Sequence, residues 1–202
     1  MTTIAFDGKM LVSDSQLHHG DIKQPAPFRK IHTPEEEEYW ELNKTKVIAL
    51  GLVGNPHTLN FIKEKLQEGV DYKTKFEVPG DEEFEAILID ENGLSHLWIV
   101  LNRKGEMISM VTPMLPPLAI GSGDQFAVAV MSIGKPAHAA VKAAIRLDVN
   151  SGGNLQSFEV PPKPETKSVR PKGPEVAPVE PQPTSQIPKP GDEPVDEEEP
   201  DN

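Results

Sequence analysis

The run Thr2-Thr3-Ile4-Ala5-Phe6-Asp7-Gly8-Lys9-Met10-Leu11-Val12-Ser13-Asp14 decides how the chain begins to fold. Two short β-prone segments flank Asp7-Gly8, a dipeptide suited to the positive φ of a tight hairpin turn, so the chain opens in an antiparallel sheet. Further along, Lys46-Val47-Ile48-Ala49-Leu50 reads as a strand closed by a turn at Gly51-Leu52-Val53-Gly54. Leu59, Ile62 and Leu66 then recur at helical spacing, which predicts a helix over Thr58–Glu68. Residues 85–90, 95–101 and 107–111 are β-rich and separated by Glu91-Asn92-Gly93 and Arg103-Lys104-Gly105, which predicts a three-stranded antiparallel meander. Ile120-Gly121-Ser122-Gly123 leads into a helix carrying Phe126, Val130 and Ile133. A second helix, with Pro136 in its first turn, places Ala137, Ala140, Val141, Ala144 and Ile145 on one face. Ser151-Gly152-Gly153 is a turn, and residues 154–160 form a last predicted strand. The sum is an α+β chain in layers, two antiparallel sheets covered by helices.

Proline separates the folded part from the rest. Of 21 prolines in 202 residues, 12 fall between Pro161 and Pro200, in a segment without an aromatic residue. Its few apolar residues are isolated between Pro, Glu and Lys, too little surface to offset the entropy of ordering. Residues 1–160 are therefore expected to form one domain and residues 161–202 a disordered, Pro-rich acidic tail. The tail carries 10 acids and 5 bases, a net of −5 out of the −12 of the chain, which leaves −7 on residues 1–160. Both parts are acidic, which excludes non-specific attraction to nucleic acid or to an anionic membrane as the main activity. The absence of cysteine excludes disulfides, thiolate metal sites and a cysteine nucleophile. No stretch approaches about 18 uninterrupted apolar residues and no basic region precedes an apolar run, so neither a transmembrane helix nor a signal peptide is expected, and the location expected is cytoplasmic.

His18, His19, His32, His57, His96 and His138 show no metal-ligand spacing, and Gly121-Ser122-Gly123 is too short for a serine-hydrolase elbow. No cofactor is implied. What remains is the start of the chain. A Met before Thr is normally removable, and its loss leaves Thr2 with a free α-amine beside its own hydroxyl. An α-amine has a pKa near 8, low enough to accept the hydroxyl proton at neutral pH, so the pair is a complete nucleophile and base.

Met1-Thr2-Thr3-Ile4, Val12-Ser13-Asp14-Ser15, Phe28-Arg29-Lys30-Ile31, Val47 through Gly54, Ala119-Ile120-Gly121-Ser122-Gly123 and Asp148-Val149-Asn150-Ser151-Gly152-Gly153 occur in this order. The set resembles the N-terminal-nucleophile (Ntn) hydrolases of the proteasome type, namely proteasome β subunits and the bacterial two-component peptidase of the heat-shock locus, over roughly residues 2–160. The resemblance implies a four-layer αββα sandwich, with Thr2 as nucleophile and Lys30 lowering the pKa of its hydroxyl. Asp14 would orient Lys30, the Gly51 N–H would serve as oxyanion donor, and Ser122, Asp148 and Ser151 would hydrogen-bond the terminal amine. Taken singly, each has an ordinary reading: Asp14 as a strand cap, Lys30 as a solvated loop lysine, Gly51 as a turn glycine, Asp148 with Ser151 as a helix-end cap.

The chain departs from the family in two places. Residues 32–43, with Glu35-Glu36-Glu37-Glu38, are longer than the family's link, and read either as a solvated acidic loop or as a selector of basic substrates near the cleft. The long paired helices that build ring contacts in the family are reduced to about Thr58–Glu68, as in a shortened bacterial or bacteriophage-encoded relative. Three functions are expected from this. The first is a threonine-type peptidase acting on polypeptide, as a homo-oligomer with an ATPase unfoldase as candidate partner. The second is a non-catalytic assembly or interaction protein that uses its acidic tail. The third is a small-molecule amidohydrolase of the same fold.

Overall fold

A computed structural model describes residues 2–19, 22–73, 82–103 and 106–162. Met1, Lys104 and Gly105 of the expected turn, and the expected tail from residue 163 onward lie outside the described residues. In chain order the elements are β1 (Thr3–Phe6), β2 (Met10–Ser13), β3 (His18–His19), β4 (Ile22–Lys23), β5 (Ile31–His32), β6 (Glu41–Leu42) and β7 (Thr45–Gly54). There follow α1 (Thr58–Glu68), β8 (Phe84–Asp90), β9 (Ser95–Arg103), β10 (Glu106–Met114), β11 (Leu118–Gly121), α2 (Asp124–Ser132), α3 (Ala137–Leu147) and β12 (Gln156–Glu159).

The Asp7-Gly8 hairpin forms as its sequence predicts: Gly8 has φ +95° and β1 pairs antiparallel with β2. Asp7 then does more than turn the chain. One carboxylate oxygen accepts from the N–H groups of Lys9 and Met10, and the other accepts from Ala137 N–H, which caps the start of α3. Burial pushes the Asp7 pKa up, but these backbone donors outweigh it and hold the carboxyl below its ordinary value.

Among the described residues two larger antiparallel sheets form, one in the order β11-β1-β2-β12 and one in the order β10-β9-β8-β7-β5 with β6 also paired to β7, and β3 and β4 pair as a separate two-stranded sheet. Alternation along each strand sends neighbouring side chains to opposite faces. Ile4, Phe6, Leu11, Leu118 and Ile120 of the first sheet meet Ile31, Ala49, Ile87 and Ile89 of the second. On the far side of the first sheet, Ala5 and Val12 pack with Ala127 and Met131 of α2 and Ala137, Ala140 and Val141 of α3. On the far side of the second, Leu50, Leu52, Trp98 and Val100 pack with Ile62 and Leu66 of α1. The chain is thus mixed α and β with mostly antiparallel pairing. Among the described residues no helix is long and apolar enough to cross a membrane.

Three expectations are corrected. The Gly51–Gly54 turn is instead the end of the ten-residue strand β7, paired with β5 and β8. Gly51 is needed there for closeness: a Cβ would lie 2.9 Å from Ile4 Cγ2 of the facing sheet, so the glycine lets the two sheets approach. On α2, the buried residues are Ala127 and Met131; of the expected face Val130 packs against this cluster, while Phe126 is 37% exposed and Ile133, just past the helix, 74%. The helix rests on small residues of β1 and α3, and that close seat suits its alanine face. The segment 32–43 is not wholly solvated, because Trp40 and Leu42 are fully buried against α1 and β7.

Candidate active site

Thr2 precedes β1, Asp14 follows β2 and Lys30 precedes β5, so the two sheets bring three chain segments together at one end of their common interior. Asp14 is fully buried and Thr2 and Lys30 are each 4% exposed. One Asp14 oxygen accepts from Thr2 Oγ1 at 2.6 Å, from Thr3 N–H at 2.9 Å and from Lys30 Nζ at 2.8 Å. Its other oxygen accepts from the N–H groups of Gln16 (3.1 Å) and Gly152 (2.9 Å). Lys30 Nζ donates to Thr2 Oγ1 as well, so the hydroxyl is gripped by an amine and a carboxylate together. Burial pulls the Lys30 pKa down, the charge and hydrogen bond of Asp14 work against it, and the net position is below the ordinary lysine value. An amine so placed can exchange a proton more readily than a solvated lysine, and in its charged form it stabilises a threonine alkoxide.

A second cluster lies on the backbone side of Thr2 and Thr3. Asp148 accepts on one oxygen from Ser122 Oγ and Ser151 Oγ, both at 2.6 Å, and on the other from Asn150 N–H at 3.1 Å. Since the Ser151 proton goes to Asp148, the 2.6 Å contact of Ser151 Oγ with Thr3 Oγ1 has Thr3 as donor. Burial raises the Asp148 pKa, but the donors from Ser122, Ser151 and Asn150 outweigh it, and the group sits below its ordinary value. Ser122 Oγ also lies 3.4 Å from the Thr2 carbonyl oxygen. Gly121, with φ +92°, passes so close to Thr2 that a Cβ would collide with the Thr2 carbonyl oxygen; at Gly123 a Cβ would collide with Thr3 Oγ1. The Gly-Ser-Gly motif is therefore what lets β11 and the start of α2 press against the Thr2–Thr3 backbone.

Six of the seven residues singled out from sequence thus fall into two linked clusters, Thr2 with Asp14 and Lys30, and Ser122 with Asp148 and Ser151. Gly51 joins neither. The cleft beside Thr2, about 40 Å³, is lined by Gln16, Leu17, Phe28, Lys30 and the backbone run Leu52, Val53 and Gly54. Gly51 is not among the lining residues, and a Cβ added to it would meet Ile4 and Leu11. Sequence reasoning did not single out Glu85, whose carboxylate accepts from Gly121 N–H at 3.1 Å, nor the Gly152 N–H on Asp14. Neither has a local signature.

The acidic loop lines a separate pocket of about 780 Å³ with Arg29, His32 and Lys63, and shares no residue with the lining of the Thr2 cleft. Glu38 is engaged by Lys63 at 3.6 Å, which ties the loop to α1. Burial, then the nearby charges of Arg29 and Lys63, push the His32 pKa down to about 4. The folded state therefore binds fewer protons than the unfolded chain between about pH 6.5 and pH 4, and the His32 contribution to stability is complete above that window and lost through it. In urea titrations at pH 7 and pH 4.5, the His32→Asn protein is expected to lose less stability on acidification than the wild type; equal losses would contradict this.

His96 enters another buried chain at the turn between β8 and β9. Its Nε2 lies 3.1 Å from an Asp90 oxygen and its Nδ1 3.0 Å from the Tyr72 hydroxyl. Asp90 also accepts from the N–H groups of Asn92 and Leu94, so this chain ties the turn to the segment after α1. Compared with models of known protein families, the chain matches none, and comparison with curated proteins finds no significant relative.

Proposed function

We propose that the protein is a threonine-type amide hydrolase of the proteasome-like Ntn class, a peptidase that acts through Thr2 once Met1 has been removed. The observation that carries this reading is the double grip on the Thr2 hydroxyl by Lys30 Nζ and Asp14, two groups that are themselves ion-paired and buried. The packing of helices on the outer face of each of two facing sheets is consistent with the four-layer αββα sandwich of that class.

In the proposed reaction the Thr2 α-amine takes the hydroxyl proton, directly or through a water. Oγ1 attacks the amide carbonyl, and the positive charge on Lys30 stabilises the oxygen as it loses its proton. The tetrahedral intermediate collapses with cleavage of the C–N bond, and the α-ammonium gives its proton to the leaving amine. A water then attacks the Thr2 ester, the amine again serving as base, and the acid is released. Ser122, Asp148 and Ser151 supply the polar surroundings that would aim the amine. A homo-oligomer, an ATPase unfoldase and a polypeptide substrate belong to the same proposal. The confined cleft of about 40 Å³ favours a second reading, a small-molecule amide as substrate, which turnover of short acyl amides against peptides distinguishes.

The test is treatment of the purified protein with a threonine-reactive peptide epoxyketone, read by intact mass. The expected result is one adduct, confined to protein lacking Met1. Absence of any adduct on Met1-free protein would reject the nucleophile.

A further inference from the structure

Gln156 is the first residue of β12, the outer strand of the four-stranded sheet, and pairs with Ser13 of β2. Its side chain reaches the segment that carries Lys30. Lys30 N–H donates to Gln156 Oε1 at 2.9 Å, and Gln156 Nε2 donates to the Phe28 carbonyl at 2.7 Å. One N–H and one C=O, two residues apart on the same edge, are thereby satisfied as a neighbouring strand would satisfy them. On its other side the Lys30 carbonyl accepts from Leu52 N–H of β7 at 3.0 Å. The Lys30 backbone is thus fastened to both sheets, to one through a side chain and to the other through a backbone hydrogen bond just beyond the β5–β7 pairing.

This matters because a lysine side chain is long and has many rotamers. Where its Nζ ends depends on where its α-carbon is held. We infer that Gln156 is a positioning residue for the proposed reaction, fixing the Lys30 backbone so that Nζ meets the Thr2 hydroxyl. The inference rests on the reading of Thr2 as nucleophile. Gln156 is absent from the lining of the Thr2 cleft; it lines a neighbouring pocket of about 490 Å³ with Arg29, Ile31 and Phe158. Its effect on Thr2 therefore passes through Lys30.

The test compares full-length wild type, Gln156→Ala and Gln156→Glu by two readouts: the titration of Lys30, followed by NMR at a ¹³C-labelled Cε and assigned with Lys30→Arg, and kcat with KM on a fluorogenic peptide amide. In Gln156→Ala the loosened segment admits water, so Lys30 is expected to titrate closer to an ordinary lysine. kcat is expected to fall on the order of 100-fold, the scale of a misplacement of about 1 Å. KM should stay within about threefold, since no substrate contact is removed. Gln156→Glu keeps an acceptor for Lys30 N–H but offers no donor to Phe28, and should fall between; it carries the test should the alanine protein fail to fold. A folded Gln156→Ala protein with wild-type kcat and wild-type Lys30 titration would overturn the inference, as would a lowered Tm with both readouts unmoved. Hydrolysis that survives Thr2→Ala would instead reject the Thr2 reading, and the Lys30 titration would still decide whether Gln156 positions that side chain.

Discussion

Thr2→Ala protein is expected to fold and to lose amide hydrolysis by at least about 10⁴-fold, the scale on which removal of a nucleophile is felt. The physical basis is that no neighbouring group can replace the lost oxygen. Thr3 Oγ1 is turned toward Ser151, and the Ser122 hydroxyl is spent on Asp148. The fold should survive, because Asp14 keeps Lys30 at 2.8 Å and its backbone donors from Thr3, Gln16 and Gly152. The cost of the missing hydroxyl is then about 1.5–3 kcal/mol, that of a hydrogen bond to a charged group. Hydrolysis assays with intact-mass verification check this, with Thr2→Ser, which keeps a nucleophile, expected to retain measurable turnover. Turnover by Thr2→Ala at the wild-type rate would end the proposal.

The largest effect on stability is expected from Asp14→Ala. It strips the counter-charge from a lysine that is 4% exposed and leaves the N–H groups of Thr3, Gln16 and Gly152 without their carboxylate. Breaking one side of a buried ion pair costs about 3–5 kcal/mol, against a total stability of about 5–15 kcal/mol for a domain, so urea midpoints should fall sharply. Removing both charges in Asp14→Ala/Lys30→Met should recover part of that loss, since the unpaired ammonium is gone, yet restore no hydrolysis. That separation is the informative result: a double variant as unstable as Asp14→Ala would mean that the backbone donors, and not the ion pair, carry the cost.

Local patterns in the chain accounted for the elements whose stabilisation is local. Asp7-Gly8 makes a hairpin because its own φ and side chain suffice, and Leu59, Ile62 and Leu66 share a helix face by spacing alone. The same reasoning misread Gly51 through Gly54, where two glycines look like a turn until strands on both sides continue the ladder and a facing Ile4 demands a residue without Cβ. For α2 the same reasoning is right about Val130 only: Phe126 and Ile133 are exposed, and the close seat on β1 and α3 takes Ala127.

The candidate site divides in the same way. The resemblance to proteasome-type hydrolases, carried by short motifs in order, names Thr2, Asp14, Lys30, Gly51, Ser122, Asp148 and Ser151; residue type alone leaves each of them an ordinary reading. The meeting of all but Gly51 depends on contacts that no local pattern contains. Thr2 and Lys30 are 28 positions apart, and Thr3 and Ser151 are 148 apart. Both are joined by the register of β1 with β2 and β11 and by the facing of two sheets. Gln156 was invisible beforehand for the same reason: a glutamine acts as a strand partner only when folding lays an edge of backbone, 126 positions away at Lys30, within reach of its amide.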